Sequence, residues 1–122
     1  MIEIASTTEL NGMLQKDIAK NQNISLKYLD PIISALKLKN LIANSKGKGS
    51  GYILTRPTED ISMFDIYTAF EQISIIECIN NCGFCERSAH ECKAKNYWSE
   101  FRNEFCQMLQ KRSLQQIIND NY

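Results

Sequence analysis

Apolar residues recur at i, i+3, i+4 and i+7 through LKYLDPIISALKL, where Leu29, Ile32, Ile33 and Leu36 fall on one stripe. That spacing predicts a helix over 26–38, with Ser25 as its N-cap. Pro31 is the sixth residue after the cap, later than the first turn where proline fits best, so a slight distortion is expected. Upstream, LQKDIAKNQ (14–22) predicts a short helix with Ile18 and Ala19 inward, and residues 23–25 predict a turn. Residues 2–11 are weakly patterned. Downstream, two β-prone runs (41–43 and 52–55) flank a polar segment with Gly47, Gly49 and Gly51, the pattern of a hairpin.

Arg56 and Pro57 end the hairpin. Ser62 with Asp65 three residues on forms a capping-box pattern, and Ile66, Ala69, Phe70 and Ile73 predict that the helix it opens runs on. The final segment, from Asn96 to about Asn119, predicts one long helix. Its Trp98, Phe101, Phe105 and Met108 step by three, four and three, a heptad-like seam that Leu114, Ile117 and Ile118 extend. The fold class is therefore mainly α with a small β-hairpin. Helix, tight turn, helix and hairpin, in that order, make a winged helix-turn-helix. We divide the chain into a DNA-binding domain, 1–60, and a dimerisation region, 61–122, ending in the long helix.

Charge sharpens this picture. The 122 residues carry 14 cations and 14 acids, yet residues 16–56 hold eight Lys or Arg against Asp17 and Asp30. A basic half and an acidic half fit a DNA-facing surface and one kept clear of phosphate. A recognition helix places its N-terminal residues at base edges, which points to Ser25, Lys27, Tyr28 and Asp30. Ser25 and Lys27 can donate to bases or phosphates, and Asp30 can accept from a cytosine amino group. Tyr28 reads more readily as core or backbone-facing. In the wing, Lys46 and Lys48 alternate with Gly47 and its neighbours, so a cation can approach phosphate or the minor groove.

Candidate chemistry lies in ECINNCGFCERSAHECKAKNYW. Cys78, Cys82, Cys85 and Cys92 stand in a C-x3-C-x2-C-x6-C pattern. Clustered thiolates suit an iron–sulfur cluster or zinc, and a metal-free thiol switch is the third reading. The cysteine usage, the lack of a long apolar run and the lack of a signal pattern predict a cytoplasmic protein without membrane contact. One histidine, no nucleophile–base pairing and no phosphate-cradling loop opening a helix argue against an enzyme. The apolar seam predicts a homodimer on a palindromic DNA operator.

ISLKYLDPIISALKLKNLIANSKGKGSGYIL resembles the Rrf-type family of bacterial transcription regulators, the IscR-, NsrR- and CymR-like proteins. Ile24, Ser25, Tyr28, Leu29, Leu36, Leu41, Gly47, Gly51, Tyr52 and Leu54 match the family pattern, as does DIYTAFE (65–71). Lys46 stands where the family has a wing arginine, and Asn40 and Ser50 where it has glycines. Ile2 aligns inside the family's first helix, so that helix is expected to be shortened. The resemblance implies a regulator, most simply a repressor, whose loop cysteines carry a two-iron or four-iron cluster. By distance to Trp98, Cys92 matches the last of three family ligands, with Cys78 and Cys85 as the others. A fourth ligand is open among Cys82, His90 and a partner's residue, because Lys95 stands where some members have histidine. The contrasting expectation is a zinc-stabilised dimeric scaffold, a truncated relative without DNA binding.

Overall fold

The computed structural model describes residues 1–7, 11–80 and 92–120. In chain order its elements are α1 (Ile2–Ala5), α2 (Gln15–Asn21), α3 (Leu26–Leu38), β1 (Ile42–Asn44), β2 (Tyr52–Leu54), a 3-10 turn (Thr58–Asp60), α4 (Met63–Tyr67), α5 (Glu77–Asn80), α6 (Lys93–Lys111) and α7 (Leu114–Asn119). α3 has the expected bounds. The Ser25 hydroxyl accepts from the Tyr28 N–H at 3.1 Å, and Leu29, Ile33 and Leu36 are buried. The helix passes through Pro31 unbroken.

α2 and α3 end in the same way. Asn23 (φ 52°) and Asn40 (φ 54°) take the left-handed conformation just past each helix. The next amide reaches back into the last turn, Ile24 N–H to Ala19 O at 3.0 Å and Leu41 N–H to Leu36 O at 3.0 Å. Both are Schellman ends, and asparagine is the residue after glycine that best tolerates that conformation. The Asn40 substitution is thereby accommodated. β1 and β2 pair antiparallel with Ile42 opposite Leu54 and Asn44 opposite Tyr52.

Met13 adds an isolated antiparallel bridge to β2, which the hydropathy pattern does not signal. Its N–H donates to Tyr52 O at 2.9 Å and its carbonyl accepts from Tyr52 N–H at 2.8 Å. The backbones meet closely because both sides are glycine. A Cβ on Gly51 would lie 2.3 Å from the Met13 carbonyl carbon, and one on Gly12 (φ 73°) would lie 2.6 Å from Tyr52 O. Gly51→Ala is therefore expected to cost about 3 kcal/mol, because backbone must move on both sides; a urea melt of the variant against the parent chain measures it.

The core joins Ile4, Ile18, Ala19, Leu29, Ile33, Leu36, Leu41, Ile42, Ile61 and Leu114. Two expectations about the C-terminal half need correction. The helix opened by Ser62 stops at Tyr67 and does not continue to Ile73. The capping box is present, but the Thr68 hydroxyl donates back to Phe64 O at 2.8 Å, where it competes with the helical ladder at the C-cap. The long terminal helix is two helices. Ser113 caps α7 through its own box with Gln116, and Ser62 pairs with Ser113 as an antiparallel bridge. Met63 N–H donates to Arg112 O and Leu114 N–H to Ile61 O, both at 2.8 Å. α7 thus turns back to seat Leu114 in the core. α1 spans only one turn, and its Glu3 carboxylate accepts from Asn21 at 2.9 Å and Gln22 at 2.7 Å, which hold it below the usual carboxylate range. Among the described residues no helix is long and apolar enough to cross a membrane.

Candidate DNA interface and cysteine centre

α2, the turn at Asn23 and α3 form the helix-turn-helix, and the α3 stripe that packs on the core turns the opposite face outward. Ser25, Lys27, Tyr28 and Asp30 all lie on exposed surface at its N-terminal end. Tyr28 is 64% exposed and so is not a core residue, whereas its neighbour Leu29 is buried. Ser25 commits its oxygen to the helix cap, which leaves its hydroxyl hydrogen to point elsewhere.

Asp30 has a fixed setting that sequence reasoning missed. The Gln15 side-chain amide donates to Asp30 Oδ1, and the Tyr52 hydroxyl donates to Gln15 Oε1 at 3.1 Å. The carboxylate is aimed by a relay that starts in β2 and crosses α2. No spacing rule marks Gln15, since it is 15 residues from Asp30 and 37 from Tyr52. Lys37 completes the wing root. Its Nζ donates to Asn44 Oδ1 at 2.7 Å and lies 5.8 Å from the centre of the Tyr52 ring, a cation–π arrangement.

At the wing tip Lys46, Gly47 and Lys48 are exposed. Gly47 (φ 111°) and Gly49 (φ 77°) have backbone geometry that favours glycine. The turn closes by Ser45 N–H to Gly51 O at 2.8 Å and by the Ser50 hydroxyl to Ser45 O at 2.6 Å. Ser50 thus uses its side chain to brace a turn where the family pattern has glycine.

Cys78 lies in α5 and Cys92 is the N-cap residue just before α6; both are half-buried thiols. Cys82, Cys85 and His90 lie outside the described residues. Among the described residues no three metal-binding side chains converge. Cys78 and Cys92 flank the segment that carries the rest of the motif, and Arg102 Nε donates to Ile73 O at 3.1 Å, tying the approach to α5 onto α6. Cys106 is half-buried on α6.

The aromatic seam divides between two duties. Phe105 meets Tyr67 of the same chain edge-to-face, centroids 6.1 Å apart, so it fastens α6 to α4. Trp98 and Phe101 stack edge-to-face at 5.8 Å. Phe101 and Met108 remain exposed, Met108 by 59%, and so does Tyr97 by 62%.

A family model described as an iron-dependent transcriptional regulator, Rrf2, matches residues 1–120. The chain belongs to the Rrf2 family. Among curated relatives of this Rrf2-family chain, Protein rrf2 of Nitratidesulfovibrio vulgaris is 32% identical over 98% of the chain and 80% of the relative. The transcriptional regulator IscR of Escherichia coli is 25% identical over 98% and 74%. The solved structure of CymR, the global cysteine regulator of B. subtilis, superposes with a TM-score of 0.73 at 21% identity, covering 99% of this chain and 88% of that one. That superposition supports the winged-helix fold with its C-terminal helix. This Rrf2 protein is a DNA-binding transcriptional regulator and not an enzyme, which sets aside the expectation of a scaffold without DNA binding.

Proposed function

We propose that this protein is a homodimeric regulator whose grip on a palindromic operator depends on the occupancy or oxidation state of its cysteine loop. The observation that carries the reading is the placement of Cys78 in α5 and Cys92 at the N-cap of α6, the two helices that border the loop, in a chain whose family is iron-dependent. Residues 1–60 read DNA: Ser25, Lys27, Tyr28 and Asp30 in the major groove, and Lys46, Gly47 and Lys48 at phosphate or the minor groove. Residues 61–122 dimerise, with Trp98, Phe101 and Met108 against the same residues of a second copy and Phe105 packed beneath them. Large exposed aromatic and methionine side chains on one helix are the usual material of such an interface.

The donor set fits a soft metal centre. Cys78, Cys85 and Cys92 with Cys82, or with His90, would hold an iron–sulfur cluster, and the same thiolates suit zinc. The group would supply a bond between α5 and α6 that changes with iron supply or oxidation. The chain's own part is the linkage. α6 is fastened to α4 through Phe105 and Tyr67, and the amide of Met63 in α4 bonds the carbonyl of Arg112 just after α6. A shift at the N-terminal end of α6 therefore reaches the dimer face and, through Leu114 of α7 in the shared core, the DNA-binding head, residues 1–60.

Gel-shift titrations of the anaerobically purified protein, before and after the metal is stripped, test this. The expected result is an affinity difference of at least about tenfold, equivalent to a coupling of about 1.4 kcal/mol. Equal affinities would remove the switch and leave the DNA binding standing. A brown protein with charge-transfer bands identifies iron–sulfur; a colourless one containing zinc identifies the other metal.

A further inference from the structure

The outward face of α3 is not uniformly polar. At 100° per residue, Leu26 lies beside Asp30 and Lys27 beside Pro31, each pair one turn apart. Leu26 is 49% exposed in the first turn, and Pro31 is exposed in the second. Each of the two charged residues suited to base edges thus has an apolar neighbour on the same surface. Pro31 also lacks an N–H, and its ring holds one shape, so it offers a stiff hydrocarbon surface with no donor. In the major groove the C5-methyl of thymine is the apolar group that base edges present.

We infer that Leu26 and Pro31 are specificity-determining residues that read thymine methyl groups. The inference rests on the major-groove placement of α3 proposed above and adds what that helix recognises. Lys27 donates to a guanine edge and Asp30 accepts from a cytosine amino group, while Leu26 and Pro31 cover the methyls of adjoining thymines. The preferred half-site is then a mixed one, thymines next to a G·C pair. Neither apolar residue is needed for the fold: Leu26 is half outside, and the cap belongs to Ser25.

The test starts from duplexes selected by the full chain out of a random library. Each thymine of the selected site is then replaced by deoxyuridine, which removes the methyl and leaves every hydrogen-bonding group in place. With the parent protein, affinity is expected to fall about fourfold at one or two thymines per half-site, the value of one buried methyl. With Leu26→Ala or Pro31→Ala, the loss at the corresponding thymine is expected to disappear while the other is kept. Deoxyuridine tolerated at every position, or the same losses in both variants, would overturn the inference with DNA binding intact. Failure of the parent chain to select any duplex would instead overturn the major-groove reading on which it depends.

Discussion

Leu114→Ala is expected to destabilise the chain by about 3 kcal/mol and to lower its melting temperature by roughly 10–15 °C. Leu114 is 2% exposed in a core otherwise built mainly from the head. Its amide also bonds Ile61 O, and Ile61 is fully buried. Truncation therefore opens a void where the C-terminal helix meets the helix-turn-helix, and the surrounding β-branched side chains cannot collapse to fill it. Leu38→Ala is the matched control: the same change at a residue 88% exposed is expected to shift stability by less than about 0.5 kcal/mol. Calorimetry on both variants decides the matter. Equal effects would mean that α7 does not share the head's core.

Cys92→Ser is expected to empty the metal centre while sparing the fold. Cys92 precedes the first residue of α6 with extended backbone and makes no side-chain cap hydrogen bond. Serine is a better N-cap than cysteine, so the helix start is kept or improved. The serine hydroxyl is a poor soft-metal ligand. Even outer-shell changes cost metal affinity 10- to 100-fold, so loss of a ligand is expected to cost at least about 100-fold. Elemental analysis of the purified variant should find almost no iron or zinc, with a melting curve of the metal-free form matching the metal-free parent. The operator affinity of the variant should equal that of the stripped parent. Full metal content would show that Cys92 is not a ligand and that the loop binds through other thiols.

Elements whose instructions are local were legible in the sequence. α3 was readable end to end because Ser25 caps it and Leu29, Ile33 and Leu36 repeat at helical spacing. The hairpin announced itself through glycines that its turn requires. The Ser62–Asp65 box appeared as its spacing implied. The break at Arg112 had a local mark too, the capping-box spacing of Ser113 and Gln116, but the apolar seam that runs through it reads as one continuous helix; the pairing of Ser113 with Ser62 fixes the turn. What escaped otherwise was set by distant partners. Met13 joined the sheet because Gly12 and Gly51 let two backbones touch. For the proposed DNA face, residue types and helix position pointed to Ser25, Lys27, Tyr28 and Asp30. The Gln15 relay stayed hidden because its members are far apart in the chain. Tyr28 reads from the sequence as core or backbone-facing, while the burial of Leu29 beside it leaves it exposed.

The Tyr52–Gln15–Asp30 relay bears on how such a regulator acquires new targets. If Asp30 alone changes, the Gln15 amide loses its acceptor, and the phenol behind it is left holding a side chain with no anchor. A lineage drifting toward a different promoter would pay for that exchange unless all three positions were rewritten together. If Asp30 reads the operator as proposed, retargeting at this point of the helix comes in concerted steps, whereas Lys46 and Lys48, exposed at the wing tip, can diverge one at a time.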